Sequence, residues 1–236
     1  MKLKLNKMNM NKKKLFGLLI FISFSIGYSY GQSKNMNLKR DTISQSELSK
    51  WKLLGIGEVS STLNKQVALK EVDGSKGIML ISPNIYKNDV ILNFKVMALT
   101  PASVIVIMLS ASDEGESDEL TIPNNYDGSI GFWENNENYF FAFKNAPHNV
   151  TPLVRKNPRA KKPLIAAKEN HMVAGVYYEI EVGKKQGKLW LSIDGKIIFE
   201  TIDTNPLAGG HVALRLRGTA GFSAGCLIKD LIISSK

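Results

Sequence analysis

Ten residues near the middle of the chain set out a histidine, two amides, an arginine and a lysine: His148, Asn149, Arg155, Lys156 and Asn157. Those types suit chemistry on a carboxylated sugar. β-Elimination from a uronide needs cationic or amide groups to neutralise the carboxylate, then a base and an acid. Arginine's fork fits a carboxylate bidentately. On this reading His148 is base or acid, and Arg155 with Asn157 holds the carboxylate beside Lys156. The same residues also describe a basic surface loop with one hydrogen-bonded histidine, or a loop that binds a sugar without reacting.

A second candidate lies just upstream. Trp133 stands beside the polar run Glu134-Asn135-Asn136-Glu137-Asn138, followed by Tyr139. An exposed indole stacks on a sugar ring, while carboxylates and amides supply partners for its hydroxyls. Trp133, Glu134, Asn135, Glu137, Tyr139 and Asn149 are therefore expected to bind substrate, with Trp133 exposed. Trp51, Trp190, Phe132, Phe140 and Phe141 are further aromatic candidates, most of them expected in the core.

Other chemistry finds less support. Retaining glycosidases need two carboxyls about 5–5.5 Å apart. Glu179 and Glu181 share a strand face by their spacing, which a solvated outer face explains as well. Asp113 to Glu119 is rich in carboxylates, and hard oxygen ligands make calcium a candidate there. No other cofactor is indicated. His171 and His211 have no companion at metal-ligand spacing, and zinc, nucleotide and serine-hydrolase motifs are missing from the sequence.

The positioning elements are short strands. Apolar runs fall at Val67–Leu69, Gly77–Ser82, Val90–Ala98, Ser103–Leu109, Gly128–Trp133, Tyr139–Phe143, Tyr177–Val182, Lys188–Ile193, Lys196–Thr201, His211–Arg217 and Cys226–Ser234. Gly, Asp, Asn and Pro turns separate them, which indicates an all-β fold, an antiparallel two-sheet jelly-roll sandwich. Asp194-Gly195 supplies the two φ > 0 positions of a type I′ hairpin turn. Leu189, Leu191 and Ile193 then face one side, and Trp190 and Ser192 the other. The final strand is almost continuously apolar and is expected between layers. Helices should be short or absent. Asp113–Glu119 and the basic run Arg155–Lys162 both read as loops.

Tyr177 to Ile233 resembles the C-terminal half of concanavalin-A-like lectin/glucanase domains. The matching pieces are Tyr-Tyr-Glu-Ile-Glu-Val, Leu-Trp-Leu-Ser-Ile-Asp-Gly-Lys, and Asn205-Pro206-Leu207-Ala208-Gly209-Gly210-His211-Val212-Ala213-Leu214-Arg215. Phe141-Ala142-Phe143-Lys144-Asn145, His148-Asn149 and Leu153 to Pro158 resemble a YesU-type family of uncharacterised domains. That family occurs with bacterial systems that degrade pectin-like and other acidic polysaccharides. The likeness runs from about Ile78 to Ile233. One departure is Arg159, where the family tends to have glycine. The resemblance implies a concanavalin-A-like fold and a polysaccharide context, and no agreed chemistry.

The N-terminal segment bears on compartment. Six lysines and no acid precede an apolar run of roughly 12 residues, Leu15 to Ile26, and then Gly27-Tyr28-Ser29. This is the pattern of a secretory signal, and a membrane span needs about 20 apolar residues. The expected organisation is a signal peptide at 1–31, a polar linker at 32–49 and one sandwich domain at 50–236, secreted or periplasmic after cleavage. Without those six lysines the formal charge of +10 falls to +4, which removes most of the argument for nucleic acid. Cys226 is the only cysteine and sits in an apolar stretch, as a buried, inert thiol would.

Together these features suggest a carbohydrate-recognition protein for polysaccharide use, with an acidic glycan as the partner. A polysaccharide lyase or glycoside hydrolase on an acidic oligosaccharide is the alternative. A structural, envelope-associated sandwich without a sugar site is a third.

Overall fold

A computed structural model describes residues 38–145 and 151–236. His148, Asn149 and the whole expected signal peptide lie outside the described residues. In chain order the elements are β1 (Lys39–Ile43), α1 (Gln45–Leu48), β2 (Lys52–Gly55), β3 (Gly57–Ser61), β4 (Val67–Glu71), β5 (Ile78–Lys87), β6 (Val90–Ala98), β7 (Val104–Ser112), α2 (Gly131–Asn135), β8 (Glu137–Lys144), β9 (Leu153–Asn157), β10 (Ile165–Ala166), β11 (Tyr177–Lys185), β12 (Lys188–Ile193), β13 (Lys196–Ile202), β14 (Gly209–Arg217) and β15 (Gly225–Ser235).

They form two antiparallel sheets. The first runs β13-β12-β11-β6-β15-β4-β3, with β1 also on β15. The second runs β10-β9-β8-β7-β14-β5-β2. Period-2 patterning puts the core between them. In β6, Val90, Leu92, Phe94, Val96 and Ala98 are buried, and the residues between them are less so. They meet Ile105, Ile107, Tyr139, Phe141 and Leu214 of the second sheet in one hydrophobic cluster. Phe94 and Phe143 make an edge contact across it, with ring centroids 6.0 Å apart.

The second sheet is apolar on both faces. Met79, Ile81, Val106, Met108, Ala142 and Leu153 form a separate cluster on its outer side. The long β7–β8 connection lies over that side and contributes Leu120, Ile122, Tyr126, Ile130, Phe132 and Trp133. This explains the unbroken apolar run of β7: a strand covered on both faces needs no polar alternation.

Four expectations are corrected. Gly128–Trp133 is not a strand, because its aromatics pack onto the second sheet from the short helix α2. Part of the expected linker joins the domain. β1 pairs with the end of β15, α1 carries a Ser44–Glu47 capping box, and Leu48 is buried. The expected boundary at residue 50 therefore cuts through structure. The last strand does not lie between layers. β15 sits within the first sheet between β6 and both β4 and β1, with a register shift around Asp230, whose φ is +57°. Finally, Arg155–Asn157 belong to a strand, β9, rather than a loop.

The type I′ turn is where the sequence places it, with φ of +50° at Asp194 and +75° at Gly195. Asp194 and Glu179 also exchange two hydrogen bonds of 2.8 Å. Among the described residues no helix is long and apolar enough to cross a membrane.

Candidate functional site

β9 pairs with β8 in register, setting Asn157 opposite Asn138, Lys156 opposite Tyr139 and Arg155 opposite Phe140. The pleat sends neighbouring side chains to opposite faces. Arg155 meets Glu134 of α2, N to O 3.7 Å. Asn157 is buried and donates to Asn138 Oδ1 at 3.1 Å. Lys156 turns the other way, and its Nζ lies 2.8 Å from Asp203 Oδ2. Beyond the strand, Arg159 takes a φ of +56°, in the region where glycine is favoured. It is held there by a 2.7 Å bond from its N–H to Glu134 O and a 2.8 Å ion pair with Glu114.

Lys156, Asn157 and Glu137 line one polar cleft of about 440 Å³, walled by Gly115–Ser117 and by Asn205–Ala208. A fixed network links Lys156 to the Leu207 wall. Tyr139 Oη donates to Asp203 Oδ2 at 2.5 Å and accepts from Leu207 N at 3.0 Å. Burial, and then the hydrogen bond to Asp203, push the Tyr139 phenol well above its ordinary value. Burial alone would raise Asp203, but hydrogen bonds from Lys156 and Tyr139 outweigh it and hold the carboxyl below its usual range. A proton held this firmly on the phenol serves structure better than proton transfer.

The structure thus gathers some expected residues and separates others. Glu137, Lys156 and Asn157 share the cleft. Tyr139 is a core residue outside the cleft lining, tied to the cleft only through its hydroxyl's bond with Leu207 N. Asn135 is exposed at the end of α2, its amide bonded to Gly131 O. Trp133 is not exposed: it is 0 % accessible, packed against Phe132 and Tyr126, with its N–H on Tyr126 Oη at 2.6 Å. The apolar outer face of the second sheet captures it. Arg155 and Lys156 do not converge on one carboxylate, because each is already opposed by an acid on its own side of the strand.

Part of the acidic loop is likewise already partnered. Asp113 accepts from Thr121 N through both oxygens at 3.0 Å, and Asp118 lies 3.8 Å from Lys87. Among the described residues no three His, Cys, Asp or Glu side chains gather in a way that could hold a metal ion. Cys226 is fully buried, and burial pushes its thiol up to about 12.

A different tryptophan makes the aromatic surface. Trp190 of β12 stands opposite Gly183 of β11. A Cβ on Gly183 would lie 2.1 Å from the indole, so the ring lies flat on the glycine backbone. Its N–H is fixed on Glu181 Oε1 at 2.6 Å. The indole stays partly exposed and borders a hollow of about 320 Å³. Lys188 and Glu200, paired at 2.7 Å, stand at its edge with Lys185, Gln186 and Ile197. The signal for this was present in the sequence. Gln186 and Gly187 form the tight hairpin turn, with φ of +50° and +80°, and counting outward from it brings Gly183 and Trp190 together.

No family model matches the chain, and no curated protein matches it. Solved structures do. A Bacillus subtilis protein of unknown function with a galectin-like fold aligns with a TM-score of 0.70 at 15% identity, covering 84% of this chain and 95% of that one. The carbohydrate-binding module CBM66 from Bacillus subtilis aligns with a TM-score of 0.52 at 10% identity, over 84% and 98%. The exoplasmic/lumenal domain of VIP36, in a Ca2+/Man3GlcNAc-bound form, aligns with a TM-score of 0.58 at 14% identity, over 79% and 83%. At these identities the likeness is one of fold: a galectin-like, concanavalin-A-like sandwich.

Proposed function

We propose that this chain is a secreted carbohydrate-recognition protein of the YesU type, serving polysaccharide utilisation, and that it binds glycan on Trp190. The observation that carries this is the indole laid flat on Gly183 with its N–H locked by Glu181. Sugar rings present a C–H face that packs on such a surface, and their hydroxyls need charged or amide partners at its edge. Lys188, Glu200 and Gln186 stand there. Because the ring is already fixed, binding loses little side-chain freedom. The folds it resembles, a carbohydrate-binding module and a domain seen with Man3GlcNAc, support the same reading.

The charges bear on which glycan. An acidic sugar needs an uncommitted cation. Arg155, Lys156 and Arg159 each face a carboxylate, on Glu134, Asp203 and Glu114. Lys188 is paired with Glu200. Lys185 beside Trp190 makes no ion pair among the described residues, but a single free cation does not match the repeated charge of a polyuronide, so the pairing of the others favours a neutral glycan over the acidic one.

Retention in affinity gels containing xylan, galactan, laminarin or polygalacturonate tests the reading, with calcium and with a chelator. Retention by a neutral polymer, lost in Trp190→Ala, is expected. Retention by polygalacturonate alone would reverse the charge argument. Retention unchanged in Trp190→Ala would remove the site. New reducing ends in solution would make the protein an enzyme.

A further inference from the structure

Three hollows follow one another around the edge of the sandwich and share walls. The first is the hollow beside Trp190, which includes Gln186. The second, about 290 Å³, takes Gln186 as well and adds Pro206, Leu207 and Ala208. The third, the Lys156 cleft, has those same three residues as its wall. Each alone is at the small end of the range for ligand sites, about 300–1,000 Å³. Joined, they make a path from the outer face of the first sheet, across the Gln186–Gly187 turn, to the end of β9.

We infer that this path is one extended groove that binds several consecutive sugars of a neutral polysaccharide, with Trp190 at one end and the Lys156 cleft at the other. The inference rests on the glycan reading above. Two observations carry it beyond a single stacking site. The middle of the path is built to stay in place: Lys184 is buried beneath it and donates to Ser110 Oγ and to the Leu207 and Ala208 carbonyls. Asn88 N also holds the Ala208 carbonyl, at 2.7 Å. And lysines and carboxylates are nearly balanced along the path: Lys185 and Lys188 with Glu200, Lys236 and the buried Lys184 with Asp89, and Lys156 with Glu116 and Glu137. A track with polar groups along it and little excess of either sign suits a polyhydroxyl chain.

Chain length separates this from a single site. Disaccharides and longer oligosaccharides cut from xylan, galactan and laminarin would be titrated by calorimetry against the full domain. The variants are Trp190→Ala, Gly183→Ala, which pushes the ring off its seat, and Glu116→Ala with Glu137→Ala in the far cleft. Glu116 is exposed, so its removal does not threaten folding. The expected result is that affinity rises with length. Trp190→Ala should weaken both short and long ligands by roughly 10-fold. The cleft variants should leave the disaccharide unchanged and weaken the long ligand by roughly 5-fold. Length-independent affinity, or a long ligand indifferent to both cleft variants, overturns the groove while leaving the Trp190 site standing. Binding indifferent to Trp190→Ala, or no binding of any neutral oligosaccharide, overturns the site and the groove together.

Discussion

Replacing Lys184 with methionine should change how stability depends on pH, by an amount the structure fixes. Lys184 is 2 % exposed. Burial pulls its ammonium from 10.5 to about 8, against the opposing pull of Asp89 and Asp203. In the unfolded chain the amine keeps its ordinary value. Between about pH 8 and about pH 10.5 the unfolded state therefore holds more protons than the folded one, and stability rises with pH through that window. The gap between 10.5 and about 8 corresponds to about 3 kcal/mol. Other groups act in the opposite sense. Cys226, Tyr139, Tyr86 and Tyr126 are all raised by burial, so they favour the unfolded state as pH climbs. The wild-type curve alone is thus a mixture, and the difference from Lys184→Met isolates the lysine. Urea unfolding at about pH 7 and about pH 10.5 measures it, with stability at each pH taken from the linear extrapolation. Wild type should gain about 3 kcal/mol on the variant between the two. Parallel curves would refute the idea that this ammonium is held charged against its burial.

Three further outcomes are expected. Trp133→Ala should cost about 3–5 kcal/mol in chemical unfolding and leave glycan affinity unchanged, since the residue fills the outer cluster of the second sheet. Asp203→Asn should cost about 1–3 kcal/mol at neutral pH by weakening the bonds from Lys156 and Tyr139. Because the Asp203 carboxyl is held below its usual range, its contribution is full above the unfolded carboxylate range. It is lost as pH falls through the folded value, so wild type and variant should converge in acid unfolding. Cys226 should resist iodoacetamide in the native protein and react once urea unfolds it, as mass spectrometry would record; rapid native labelling would contradict its burial.

Much of the sandwich was legible because alternation, β-branched residues and turn chemistry agree. β6 and β12 sit at their expected bounds, and the Asp194-Gly195 turn has the expected dihedral signs. What escaped has physical causes. β1 is polar because it is a sheet-edge strand, with its pairing set by β15 rather than by its own side chains. β9 is short and runs into Pro158, so its alternation is too brief to read. Trp133 looked exposed because its neighbours in sequence are polar, yet a helix puts neighbours on different sides, and the side it presents meets an apolar sheet. Trp190 looked like one more core aromatic, and only the hairpin register, with a glycine opposite it, reveals an outward ring.

The place of β15 has a consequence for when the domain can become itself. This strand joins β6 on one side to β4 and β1 on the other, so the first sheet remains in three unconnected pieces until the stretch from Gly225 has been delivered. Pairings this distant along the chain form slowly. A chain threaded through a membrane from its N-terminus would reach the far side with its central seam still missing, and would close only after translocation ends. In a chain exported that way, such an order would keep the polypeptide unfolded during passage and make the interval just after release the time when helpers against aggregation matter most.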